Sequence, residues 1–229
     1  MATNPIIAVG SSATIGSTGG TTLAVSPTTV GDCLIAISAV QSATVFIASV
    51  SGGGCSWSNI LHAVNLGAQT ACFDMWLGVV NTTGSSTITF TGSASVASLG
   101  TSYFAQQFNG GASPTWSVDG ATATKTNTSS ATITFPTLTP VAANDMYIGG
   151  GQSLLGATSG TQTAGYTMAL AATEPRLFKA AVTGAQTPTC TNAATSTSGT
   201  MAALIKATAA PVVPAQPMNR ARLIRASCW

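Results

Sequence analysis

The chain has 229 residues, of which 45% are hydrophobic and only 5% are Asp, Glu, Lys or Arg, against about 25% charged in an ordinary soluble domain. The missing charge is replaced by Thr, Ser, Gly and Ala. A single His and five carboxylates argue against an enzyme or a metal or cofactor protein, because acid–base and metal chemistry needs those groups in clusters.

In chain order, short runs of Val, Ile, Thr, Phe and Tyr are punctuated by Gly, Ser, Asn or Pro, the pattern of strands and turns. The first half predicts strands at 6–9, 22–25, 33–40, 44–50, 60–64, 71–80, 87–91 and 101–108. The second half predicts them at 116–118, 131–135, 146–149, 166–170, 177–182, 187–191 and 200–207. Thr87–Phe90 and Thr132–Phe135 alternate with period two, as half-buried strands do. No stretch has a capped 3.6-residue period. Many short strands predict an all-β fold of two packed sheets. The uncharged run Cys33–Val50 has the length of a membrane helix. Its Ser, Thr and Gln residues and its Val and Ile content read instead as two strands with a turn near 41–43, so no membrane span is predicted.

The halves repeat weakly. Leu23–Ile35 and Phe135–Ile148 each combine a Thr/Pro-rich lead, an Asp (Asp32, Asp145) and an apolar strand. The repeats cover about 22–110 and 131–207 of one body, 1–207. Both aspartates are expected to cap turns by hydrogen bonds to backbone, not to form a catalytic pair. From 208 the composition changes to a Pro-rich linker and then to MNRARLIRASCW. Arg220, Arg222, Leu223, Ile224, Arg225 and Trp229 have the composition of an interface segment, and 208–229 is read as an extended arm that docks on a partner.

Charge is unevenly placed. Residues 1–210 hold Lys125, Arg176, Lys179 and Lys206 against Asp32, Asp74, Asp119, Asp145 and Glu174, whereas the last nineteen residues add three arginines and no acid. The body lacks the clustered cations that bind nucleic acid. The start lacks the basic segment of a secretory leader and reads as a cytosolic translation product. A surface so poor in charge is expected to associate, which predicts a homo-oligomer. His62, in an apolar strand, reads as structural. Alternation points Asp74 outward, where it stands alone. Trp57, Trp76 and Trp116 are candidates for an aromatic platform that would stack on a sugar, set against the more frequent use of such rings as core. Five cysteines without paired spacing read as buried thiols, with a disulfide such as Cys55–Cys72 left open.

Seven segments in order resemble a β-sandwich domain of minor structural proteins of tailed bacteriophages, found also in some bacterial surface proteins. Val30-Gly-Asp-Cys-Leu-Ile-Ala-Ile-Ser38 is similar to its "GDLLVVAVS" strand, and Val50-Ser-Gly-Gly-Gly-Cys-Ser-Trp57 to its "VSGGGxTWT" turn. Phe73–Gly78, Ser86–Gly92 and Tyr103–Gly110 resemble the strands that follow. Thr139–Ile148 resembles "TTAANDLVVG", and Gly199–Lys206 the closing strand. The resemblance implies a jelly-roll-like sandwich without catalytic residues or cofactor. It implies a virion component, a minor tail protein or a capsid decoration protein, assembled with other virion proteins in multiple copies. The arm would be its tether. The competing expectation is a carbohydrate-binding module or adhesin that holds a host-surface glycan.

Overall fold

The computed structural model describes residues 4–66 and 70–209. The C-terminal arm, with Arg220, Arg222, Leu223, Ile224, Arg225 and Trp229, lies outside the described residues, as does Cys228. Among the described residues there is no helix, and the chain forms fourteen strands in three antiparallel sheets. The first half contributes β1 (Ile7–Thr18), β2 (Thr22–Val25), β3 (Cys33–Val40), β4 (Ile47–Gly52), β5 (Cys55–Leu66), β6 (Ala71–Val80), β7 (Ser86–Gly92) and β8 (Gly100–Asn109). The second contributes β9 (Thr115–Val118), β10 (Ala123–Thr134), β11 (Asp145–Ser153), β12 (Thr167–Ala171), β13 (Glu174–Val182) and β14 (Thr189–Thr208).

One five-stranded sheet has the order β1-β8-β3-β6-β5, and a three-stranded sheet has the order β2-β7-β4. The third sheet runs β10-β14-β11-β13-β12, with β9 also paired to β14. Matching β1, β3, β5, β6 and β8 to β10, β11, β12, β13 and β14 turns the first order into the second. The two halves therefore share one strand permutation, and the weak sequence repeat has a structural counterpart. In the first half, β7 and β8 are separate strands. In the second, β14 runs through both places as one long strand, and isolated bridges Leu138↔Gln186 and Ala157↔Asn192 remain beside it.

The core explains why the central strands lack alternation. One cluster lies between the five-stranded sheet and the six-stranded sheet that contains β9: Ile35, Ile37, Phe73, Met75, Phe104 and Phe108 meet Met146, Ile148, Phe178, Met201, Ala203 and Ile205. A second cluster fills the space between the first sheet and β2-β7-β4, with Ala36, Val40, Tyr103 and Phe90. A third covers the far face of the six-stranded sheet, with Tyr147, Leu177, Phe135 and Leu204. All eight residues of β3 are buried, since successive side chains enter different clusters. A strand covered on both faces reads as a continuous apolar run. Two packed sheets were expected; three are present, with apolar clusters on both faces of the five-stranded and of the six-stranded sheet.

The run 33–50 divides into β3 and the start of β4, as read from the sequence. Gly52, Gly53 and Gly54 form the β4–β5 turn with φ of 75°, 67° and 69°, a backbone shape that costs glycine nothing and other residues strain.

Candidate functional site

Every carboxylate side chain of the protein is buried. Asp32, Asp74, Asp119, Asp145 and Glu174 are between 0% and 7% exposed. Arg176 is fully buried as well, so the charge that reaches the described surface comes from Lys125, Lys179 and the partly exposed Lys206. The sparse charge of the composition is thus spent inside, in three separate arrangements.

The first lies across the sheet β1-β8-β3-β6-β5. Ile15, Tyr103, Ser38, Asp74 and His62 are successive partners in the strand registers and form one row. His62 donates through Nδ1 to Asp74 Oδ1 at 2.6 Å, and Ile47 N donates to Asp74 Oδ2 at 2.9 Å. Burial raises the Asp74 pKa, and those two hydrogen bonds oppose the rise. Asp74 therefore points inward to a partner, not outward and alone as alternation suggested. The order is Ser38, Asp74, His62. A hydrolytic triad instead needs the imidazole between the hydroxyl and the carboxylate. Here the acid stands in the middle, and the histidine covers a buried charge.

The second arrangement joins the two halves. Arg176 of β13 donates through Nη1 to Gly151 O (2.6 Å) and Pro175 O (3.0 Å), and through Nη2 to Ser102 Oγ (2.8 Å) of β8. The guanidinium thereby ties the second half to the first. Glu174 accepts from Ser153 N at 3.1 Å. Burial pushes its carboxyl up to about 8, against the pull of Arg176. Glu174 lines a cleft of about 240 Å³ with Gln41, Thr101, Ser102, Gln152 and Thr173.

The third arrangement involves the repeated aspartates. Asp32 accepts from Gln107 Nε2 (2.5 Å) and Asn109 Nδ2 (2.6 Å), so its partners are side-chain amides, not the turn backbone that was expected. Extending the registers by one residue places Asp32 opposite Asn109 and Asp145 opposite Lys206. Lys206 Nζ donates instead to Asp119 Oδ1 at 3.0 Å, and Val141 N and Ala142 N donate to Asp119 Oδ2. Asp119, not Asp145, is thus the main holder of that turn. Burial and the neighbouring Asp119 push Asp145 up to about 7. Burial also works against ionisation of Asp119, but hydrogen bonds from Asp145, Lys206 and the turn amides outweigh it and hold Asp119 low.

Trp57, Trp76 and Trp116 do not form a surface row. Trp116 belongs to the cluster between the two large sheets and donates to Gly31 O at 2.8 Å. Trp76 belongs to the second cluster. Trp57 is half-buried against that cluster, its indole nitrogen donating to Gly52 O at 2.9 Å. A platform for sugar stacking needs exposed, coplanar rings, so the expectation for Trp76 and Trp116 is corrected to core packing. Cys33, Cys55, Cys72 and Cys190 are free thiols. Burial pushes Cys55 and Cys190 up to about 12, far from the reactive thiolate range.

No family model, curated protein or solved structure matches this chain.

Proposed function

We propose that this protein is a non-enzymatic structural component of a tailed-phage virion, carried in several copies as a minor tail protein. The observation that carries the reading is the surface without side-chain carboxylates: all five are inside. The described surface is Thr, Ser, Gly and Ala with a few cations and scattered larger apolar side chains such as Ile7, Val141, Leu154 and Leu155. Such a surface resists association poorly, and it suits a protein whose faces are covered by neighbours in an assembly.

The strand order supports the finer reading of the fold. An eight-stranded jelly roll sets strands 1-8-3-6 against 2-7-4-5. The first half has β1-β8-β3-β6 on one side and β2-β7-β4 on the other, with β5 paired to β6. We therefore read each half as jelly-roll-like and the body as two such units that share a core. The seven segments that resemble the phage domain fall on β3, the β4–β5 turn, β6, β7, β8, the approach to β11, and β14. The basic and apolar stretch with Arg220, Arg222, Leu223, Ile224, Arg225 and Trp229 is the proposed tether to another virion protein.

Purified particles banded in a density gradient, probed with antibody to residues 4–209, test this. The expected result is that the protein bands with the particles and survives a high-salt wash. Recovery of the protein only in the soluble lysate overturns the proposal. Labelling of heads instead of tails would make it a decoration protein.

A further inference from the structure

Seven strands, β9 included, have a strand on one side only, and six of them carry devices that discourage pairing with another chain. Edge strands are commonly protected by shortness, bulges, charge or cover. β2 and β9 have four residues each and β12 five. β10 carries Lys125 and two register shifts, β4 has a shift between Ile47 and Ser49, and β5 has two shifts. β1 is different. It is twelve residues long, has no charge and no proline, and among the described residues pairs only with β8. Its one irregularity lies between Val9 and Ala13. From Ala13 to Thr18 the register on β8 is regular, opposite Ala105 to Gly100.

Ala13 of this run packs against the second apolar cluster. Ala13 lies opposite Ala105, and Ile15 opposite Tyr103, and both of those partners belong to that cluster. Ile15 itself is 38% exposed, on the outer side of Tyr103. A strand added beside β1 would cover Ile15 and satisfy the outward backbone groups of 13–18.

We infer that the β1 edge, over Ala13–Thr18, is where two copies of this chain pair antiparallel about a twofold axis. The occupant follows from self-complementarity. An antiparallel twofold pair needs only one strand, and the segment Ala-Thr-Ile-Gly-Ser-Thr carries no charge to repel its own copy. Ile15 and Ala13 of the two copies then lie on the same face of one ten-stranded sheet, flanked on each side of the join by Tyr103 and Ala105. A partner of opposite charge is disfavoured, because this edge offers nothing for it to read. The inference deepens the assembly reading above by naming the surface, and it stands or falls separately from attachment to a particle.

The test is analytical ultracentrifugation of the full-length chain with Ile15→Lys and Thr22→Lys variants, together with hydrogen exchange at two protein concentrations. The wild type is expected to sediment as a dimer. I15K, which adds charge at an already exposed position, is expected to weaken dimerisation at least tenfold, and T22K on the β2 edge to leave it intact. Amides of 13–18 are expected to exchange more slowly at the higher concentration, a readout independent of how the variants fold. A monomeric wild type overturns the inference. So do I15K dimers as tight as wild type, or exchange at 13–18 that does not depend on concentration. An assembled protein whose 13–18 amides are indifferent to concentration would refute the β1 pairing and leave the virion proposal standing. A β1-paired dimer absent from particles would do the reverse.

Discussion

Arg176 shows what one residue can do at the seam between the halves. Its side chain reaches Gly151 O and Pro175 O in its own half and Ser102 Oγ in the other. Removing a buried charged group from such a network leaves partners desolvated and unpaired, a loss of about 3–5 kcal/mol. Arg176→Ala is predicted to cost that much in urea unfolding. Arg176→Met, which keeps most of the volume of the stem, is predicted to cost less. Equal losses would mean that packing is not the difference between them.

Two buried acids set an unusual pH profile. Glu174 and Asp145 have folded pKa values raised to about 8 and about 7, above their unfolded values. Such a group contributes stability that is fully present below the unfolded pKa and lost as pH rises through the folded one. Asp119 acts in the opposite direction, and its contribution is lost only as pH falls toward about 2. Stability is therefore predicted to fall as pH rises from about 4 to 8. Asp145→Asn, which removes one of the two titrations, is predicted to gain on the order of 1–3 kcal/mol over wild type at pH 8. Thermal melts across that range check both, and a melting temperature that is flat or rises toward pH 8 contradicts them. None of this pairing was legible in the sequence. Asp74 sits in an alternating run whose face is decided by its neighbour His62, twelve residues away, and Asp119, Asp145 and Lys206 meet only because three strands do.

Among the elements, strand content was legible and strand length was not. The Val/Ile/Thr runs located β3, β6, β7 and β8 closely, because each buries apolar side chains, whereas β11 was expected to end at 149 and runs on to Ser153. β1 and β14 extend much further than their apolar cores, through Gly10–Thr18 and Asn192–Ser198. Within them, Ala13–Thr18 pair with β8 and Ser196 and Ser198 with β10, and Ser, Thr and Gly give little local sign of it. Local chemistry was decisive at the β4–β5 turn. Three consecutive glycines with positive φ allow β4 to turn into β5. A Cβ on Gly54 would lie 2.3 Å from Thr82 O, a backbone atom. Gly54→Ala is predicted to cost about 1–3 kcal/mol from its φ alone, and more from the contact with Thr82. A loss below 0.5 kcal/mol in chemical denaturation would show that the turn can rearrange.

At the scale of the whole molecule, the repeat seen faintly around Asp32 and Asp145 is one strand order used twice. The first copy covers its sheet with β2-β7-β4. The second fuses the equivalent segments into β10 and β14 and keeps only two bridges beside them. The sequence pointed to two halves but not to the three sheets, because sheet assignment depends on pairings such as β1 with β8, some ninety residues apart. The two copies pack through one apolar cluster and the Arg176 tie, which leaves the outer faces and edges to meet other molecules. With every carboxylate side chain inside, those outer faces have little to keep them apart. The most direct test is a cryo-EM reconstruction of the intact particle. Density for the packed five- and six-stranded sheets is expected in several symmetry-related copies on the tail. Complete particles that lack this density would contradict the virion proposal.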